Sequence, residues 1–343
     1  MTNPLIECIP NFSDARRPEV IAAILATLES VKGVSVLDNH SDLDHNRTVV
    51  TFVGSPQVVE EAAFQAIKKA QELIDLDQHT GAHPRIGATD VVPFVPITDV
   101  TMAECVELAK RLGKRVGNEL SIPVYLYEEA ASRPDRQNLE NIRKGQYEGL
   151  KQEIGTNPER QPDYGPARMG SAGATVIGAR APLIAFNIYL TTSDIDIAQK
   201  VARAVRNSSG GFHFVKGMGV LVDGMAQVSM NLTDFHKTPI FRVVEFVRRE
   251  AQRYGVGIHH SELVGLIPQA ALVDTAVWYT QMDQFEPEQI LESRLYTVKA
   301  KSAEESAGKY DFIDELASGD PTPGGGSAAA FTAAEAAGLV AMV

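Results

Sequence analysis

His79-Thr80-Gly81-Ala82-His83-Pro84-Arg85-Ile86-Gly87-Ala88-Thr89-Asp90-Val91-Val92-Pro93-Phe94-Val95-Pro96 is the stretch on which the reading of this chain turns. Two histidines, an arginine and an aspartate stand among glycines and prolines. Gly81 and Pro84 oppose a continuous helix, so the stretch reads as an irregular loop feeding a short strand, Asp90 to Val95. A loop held by a rigid strand is a common place to present chemistry. His83 is a neutral base near pH 7 and, once protonated, an acid; its other reading is a solvent-exposed loop histidine. Arg85 is a permanent cation whose planar fork can grip a carboxylate in two places. Arg85 and Asp90 can also form an ion pair that pins the loop. His79 and His83 have the four-residue spacing of zinc ligands on one helix face, but the helix is opposed and no companion Glu is present. No metal is expected. His79 reads equally as a support for His83 or as surface.

Regular elements flank this loop. Leu5–Ile9 can be a strand. Val20, Ile21, Ile24, Leu25, Leu28 and Val31 fall at helical spacing and predict a helix over 18–31. Residues 34–37 and 48–53 read as short strands. Ser55 followed by Pro56 marks a helix start, with Val59, Ala62, Ala63, Ala66, Ala70, Leu73 and Ile74 on its apolar side. Met102, Cys105, Leu108, Ala109, Leu112 and Val116 predict a helix over about 101–120, and 123–127 a further strand. The first six elements read strand, helix, strand, strand, helix, strand. This order starts again near Pro182, with strand 183–190, helix 193–206, strands 213–222 and 225–232, helix 239–254 and strand 258–264. Asp223-Gly224 between the middle strands is a hairpin signal. The expected fold class is α+β: two tandem ferredoxin-like (βαββαβ) halves, plus a short helical C-terminal extension. The expected domains are 1–180, 181–300 and 301–343. Arg133–Ala181, rich in charge, Gly and Pro, reads as a long loop.

Composition narrows the function classes. The chain has 343 residues, 44% of them hydrophobic, enough for about two domains with sizeable cores. Asp and Glu exceed Lys and Arg by 44 to 32, a net −12, which argues against nucleic acid as a partner. An anionic substrate therefore needs a locally basic pocket. Cys8 and Cys105 are far apart and read as free thiols of a cytoplasmic protein. Met1-Thr2-Asn3-Pro4 is no signal peptide, and no apolar run reaches the ~18 residues needed to span a membrane.

Other clusters are weaker. Residues 38–47, with Asp38, His40, Asp42, Asp44 and His45, could suggest a metal, but a solvated loop is the commoner outcome. Gly165-Pro166-Ala167-Arg168-Met169-Gly170-Ser171-Ala172-Gly173 is glycine-rich and precedes a strand-like run. Arg206-Asn207-Ser208 lies at a helix end followed by a glycine stop, where Arg206 also serves the helix dipole. Pro323-Gly324-Gly325-Gly326-Ser327 lacks the Lys-Ser/Thr pair of a phosphate loop and opens an alanine-rich helix.

The segment His79–Pro96 closely resembles the active-site stretch of the glutamate formimidoyltransferase family, whose form is His-x-Gly-x-His-Pro-Arg-x-Gly-Ala followed by Asp-Val-x-Pro-Phe-x-Pro. Collinear likeness continues at Glu7–Ser13, Asn46–Val49, Pro123–Tyr127, Ile184–Asn187 and Ala226–Ser229, over roughly residues 4–295. The Pro323–Ser327 segment resembles the opening of the cyclodeaminase domain fused to some members, so the chain reads as a truncated bifunctional protein or a single-function variant. Two features depart from the family: His40 stands where some members carry Asp, and the 165–173 loop is one residue shorter and lacks their aromatic residue.

The resemblance implies a ligand channel between the halves, and a transferase moving the formimino group from N-formimino-L-glutamate to N5 of tetrahydrofolate, with glutamate as the other product. This is a step of histidine degradation. Tetrahydrofolate is a co-substrate, and no metal is needed. The family's catalytic histidine falls on His83, acting as base and then acid, a role typically worth ~10²–10⁴-fold in rate. Asn46, Arg47, Arg85, Asp90, Gly165–Gly173, Arg206, Asn207, Ser208 and Lys216 are the expected substrate-binding residues, with Arg47, Arg85, Arg168, Arg206 and Lys216 as the cations for substrate carboxylates. A homodimer or higher homo-oligomer is expected, without membrane or nucleic-acid partners. The competing readings are a folate-binding carrier or regulatory module without transferase activity, and a metal-dependent hydrolase.

Overall fold

The computed structural model describes residues 4–81, 83–296, 312, 315–318 and 324–341. Backbone contacts divide the chain into a unit of residues 1–276 and a unit of residues 277–343. The first unit is α+β and holds two sheets.

The first sheet contains β1 (Leu5–Cys8), β2 (Asn11–Phe12), β3 (Ser35–Asp42), β4 (Arg47–Gly54), β5 (Thr89–Thr98), β6 (Val124–Glu128) and β7 (Thr175–Ala179). β1 and β2 both pair with β4 and β5, so they are two pieces of one strand interrupted at Pro10. Across the sheet the order is β3, β4, β1/β2, β5, β7, β6. β7 pairs in parallel with β5 and β6, and the remaining pairs are antiparallel. Helices α1 (Pro18–Glu29), α2 (Pro56–Leu73) and α3 (Met102–Glu119) share one core with Phe12, Phe52 and Phe94. A capping box between Thr101 and Glu104 starts α3. Cys8 and Cys105 are free and buried in this core.

A second layer covers part of the sheet. α4 (Leu139–Ile142) and α5 (Gln146–Glu153) bring Ile142, Leu150 and Ile154 against Val91, Tyr125, Tyr127 and Val176. Thus 133–181 is not the long loop expected from its composition. Most of its charged residues lie outward, with Arg136 and Arg143 turned inward to Asp163 and Asp90, while a few apolar ones fill a small second core. The strand-like run read after Gly173 is β7, a short parallel strand buried on both faces. β3 is also longer than expected. Residues 38–42 extend along β4 instead of looping, and 43–46 make the turn.

The second sheet contains β8 (Ile184–Leu190), β9 (Val215–Val222), β10 (Met225–Leu232) and β11 (Ile258–Val264), in the antiparallel order β11, β8, β10, β9. Asp223 and Gly224 both adopt positive φ, 49° and 78°, as the tight hairpin turn between β9 and β10 requires. α6 (Ile195–Val205) and α7 (Ile240–Gln252) close one face over Ile188, Val228, Val201 and Val243. On the other face Lys216, Asn231, Ala185 and Val264 lie in register across the four strands. α8 (Gln269–Thr280) follows β11, and α9 (Gly325–Ala341) belongs to the second unit. Among the described residues no helix is long and apolar enough to cross a membrane.

Candidate active site

A cavity of about 700 Å³ lies between the free faces of the two sheets. Glu7, Ile9, Asn11, Arg47, Val49, Val91 and Pro93 line it from the first sheet, and Ala185, Lys216 and Asn231 from the second. This size suits a drug-sized ligand. Arg143, on the turn after α4, and Arg180 add cations, while Asp38, Glu128 and Glu140 add carboxylates.

His83 sits behind this wall, 6% exposed. The His83 loop is held by chain from another part of the sheet. Ala88 N–H donates to the Ala172 carbonyl at 2.8 Å, and Ala174 N–H to that of Ile86 at 2.9 Å. Gly87 and Gly173 meet so closely that a β-carbon on Gly87 would fall 1.9 Å from the Ala174 carbonyl oxygen. Gly173 also has a φ of +73°, which favours glycine.

The Arg47 guanidinium points an Nη1 donor at Nδ1 of His83, 3.4 Å away. A guanidinium has no lone pair to give, so Nδ1 accepts and Nε2 carries the proton. Nε2 faces Oδ2 of Asp90 at 3.6 Å, beyond hydrogen-bond reach, and has no other partner. Burial is the main cause holding the His83 imidazolium down to about 4; Asp90 opposes it, and Arg47 and Arg143 add to it. His83 is therefore a neutral base at pH 7. Burial pushes the Asp90 carboxyl up, but Arg143 and His83 outweigh it and hold it near 2. Arg47 is largely buried, and desolvation lowers its basicity. Its Nε has no hydrogen-bond partner. A desolvated guanidinium on a cavity wall is a site for a ligand carboxylate.

Residues 5–180 match a family profile described as "Formiminotransferase domain, N-terminal subdomain", and residues 185–296 one described as "Formiminotransferase domain". A "Glutamate formimidoyltransferase" of Streptococcus pyogenes serotype M1 is 48% identical over 295 residues, covering 85% of this chain and 98% of its own. This chain belongs to the formiminotransferase family. A Thermoplasma acidophilum protein of the same name is 50% identical over 295 residues, covering 85% of this formiminotransferase and 97% of itself. A "Formimidoyltransferase-cyclodeaminase" of Dictyostelium discoideum is 39% identical over 375 residues, covering 99% of this chain and 70% of its own. Residues 309–343 match the profile "Formiminotransferase-cyclodeaminase".

The fold brings some of the expected residues to one place and leaves others apart. His83, Asp90 and Arg47 form one cluster, and Lys216 reaches the cavity from the second sheet, 3.4 Å from Glu140. Asn46, in the left-handed region at φ 50°, is a brace. It accepts from Ala15 N–H at 2.9 Å and donates to the Thr80 carbonyl at 2.9 Å. The Arg85–Asp90 ion pair allowed by the sequence is replaced by two others. Arg85 pairs with Glu148 at 2.7 Å and donates to Nδ1 of His79 at 3.1 Å, while Asp90 pairs with Arg143. His79 in turn lies 3.2 Å from the Asn46 carbonyl, which makes it a support for the loop.

The remaining expected contacts lie outside the cavity lining. Gly165, Pro166, Ala167, Arg168, Met169, Gly170, Ser171, Ala172 and Gly173 pack outside it, where 171–173 anchor the His83 loop and Leu76. Arg206 ends α6 by donating to Ser209 Oγ at 2.7 Å, beside exposed Asn207 and Ser208. Sequence reading missed Arg143. It lies in a charge-rich segment that looked like loop, and its contact with Asp90 spans 53 positions.

Proposed function

We propose that this formiminotransferase carries the formimino group from N-formimino-L-glutamate to N5 of tetrahydrofolate, releasing glutamate. One observation carries the reading. A neutral, desolvated imidazole lies beside a partner-poor guanidinium at the wall of a cavity between two sheets. Attack of N5 on the formimino carbon gives a tetrahedral adduct. One proton leaves N5 and one must reach the departing glutamate nitrogen. His83, neutral in the free protein, takes the first at Nδ1 and returns it to the leaving nitrogen. Arg47 turns from His83 to a substrate carboxylate, which removes a cation from beside the imidazole and raises its basicity during turnover. Holding both reactants in line supplies the larger share of the rate, since effective molarities reach ~10⁵ M or more.

Lys216, Arg180 and Asn231 are assigned to the wall facing Arg47, where a second carboxylate can be gripped. Arg85, Asn46 and the 165–173 segment are assigned to holding the loop, with contact to the folate tail left to the exposed Arg168, Asn207 and Ser208 and the half-buried Arg206. The halves are read as ferredoxin-like. β5, β1/β2, β4, β3 in the first sheet and β11, β8, β10, β9 in the second follow the same order, which supports this reading. The division at 180 is supported by the separate cores of the two sheets, and that at 300 lies outside the described residues.

Measuring tetrahydrofolate binding and formimino transfer on one preparation tests the function. Transfer with binding is expected. Binding without transfer would turn the protein into a folate carrier and overturn the mechanism.

A further inference from the structure

Oδ2 of Asp90 is contested by two groups. Arg143 Nη2 donates to it, while Nε2 of His83 stands 3.6 Å from the same atom. Oδ1 is already committed to Ile86 N–H at 2.7 Å. Asp90 is 1% exposed, so water offers no third acceptor in exchange. Arg143 reaches Asp90 while also lining the cavity, and its buried Nε has no partner. It rides on the turn between α4 and α5, anchored by its N–H donating to the Leu139 carbonyl at 3.0 Å. Its donor set is therefore split between an internal carboxylate and an open space shaped for ligand.

The groups facing His83 are Arg47 from β4, Asp90 from β5, Arg143 from the α4–α5 turn, and the His45 ring at 6.3 Å. His45 itself is paired with Asp42 at 2.8 Å. Arg47 and Arg143 disfavour a proton on His83, and Asp90 favours one. Whichever group Arg143 holds therefore sets how basic the imidazole is.

We propose that Arg143 is a positioning residue that withholds Asp90 from His83 until a substrate carboxylate in the cavity takes the guanidinium. Asp90 then closes on Nε2–H, orients the ring and stabilises the imidazolium formed when Nδ1 takes the proton from N5. The base becomes strong only in a loaded site, and an empty site keeps a neutral, weakly basic imidazole. This rests on the transferase reading of the same cavity.

The test is the titration of His83, followed by NMR with ring-labelled histidine and assigned by its loss in His83→Gln. In the ligand-free wild type the ring should titrate low. Saturating L-glutamate should raise it by about one unit or more. Arg143→Met should show most of that rise without ligand and respond less than wild type to glutamate, the remaining response coming from the departure of Arg47, whereas Arg143→Lys should stay near the wild type when free. The kcat/KM profile of Arg143→Met should move to higher pH together with an increased KM for N-formimino-L-glutamate. An unmoved His83 in wild-type protein saturated with glutamate overturns the proposal, and that arm needs no variant to fold. So does a folded Arg143→Met protein that titrates like wild type. Both readouts are independent of turnover, so a wild-type protein without formimino transfer would instead sink the transferase reading.

Discussion

In the first sheet β5, β7 and β6 are covered on both faces, by α3 on one side and by α4 and α5 on the other. In the second sheet α6 and α7 cover one face, and the other presents Lys216, Asn231 and Ala185 to the cavity. The difference explains where the chemistry sits. Double cover strips water from His83 and Asp90: burial holds His83 down to about 4, while Arg143 and His83 hold Asp90 near 2 against the pull of burial. The second sheet is covered on one side only. It can supply a wall whose long, partly exposed residues adjust to a ligand, as Lys216 does while paired with Glu140 across the gap.

If this division holds, variants under the double cover should change the chemical step, and variants on the cavity walls mainly binding. His83→Ala should have the largest effect, a fall in kcat of at least ~10²-fold with the fold preserved by circular dichroism. A near-normal turnover would break the comparison at once.

Acid stability is the next test. His83 titrates at about 6.5 when unfolded and about 4 in the fold. Between these values the unfolded chain binds a proton that the folded one refuses. Stability present above pH ~6.5 is therefore lost as pH falls toward 4, by up to about 3 kcal/mol. Urea titrations across that window should show the loss in wild type and a flatter profile in His83→Ala.

Arg47→Met should raise KM for N-formimino-L-glutamate by ~10-fold or more, the loss of one carboxylate contact of at least about 1.4 kcal/mol. Lys216→Ala should have the smallest effect, a few-fold change in KM with kcat kept, because exposed ion pairs are worth about 0–1 kcal/mol. A kcat loss there matching that of His83→Ala would place catalysis on both sheets.

The second sheet was easy to read in the sequence. Asp223-Gly224 fixes the hairpin, and α6 and α7 show helical spacing. The first sheet was legible as far as residue 128. β7 showed only as a strand-like run after Gly173, and nothing local in Thr175–Ala179 tells that it inserts between β5 and β6. The site shows the same limit. His83 announces itself through its local motif, and Arg47 through likeness to the family. Asp90 was visible as a residue, but its sharing of one oxygen between Arg143 and His83 depends on α4 folding back over the sheet, which no local pattern encodes.

The place of β7 has a further consequence. It lies between β5 and β6, both of which precede it in the chain, and the contacts that lock the His83 loop come from residues 171–174. During ribosomal synthesis the His83 loop therefore emerges about ninety residues ahead of its fastener. Until that later segment is made, β5 and β6 stand with an open slot between them. Proton-transfer competence arrives late in the birth of the first half, set by the order of translation and not by the loop's own sequence.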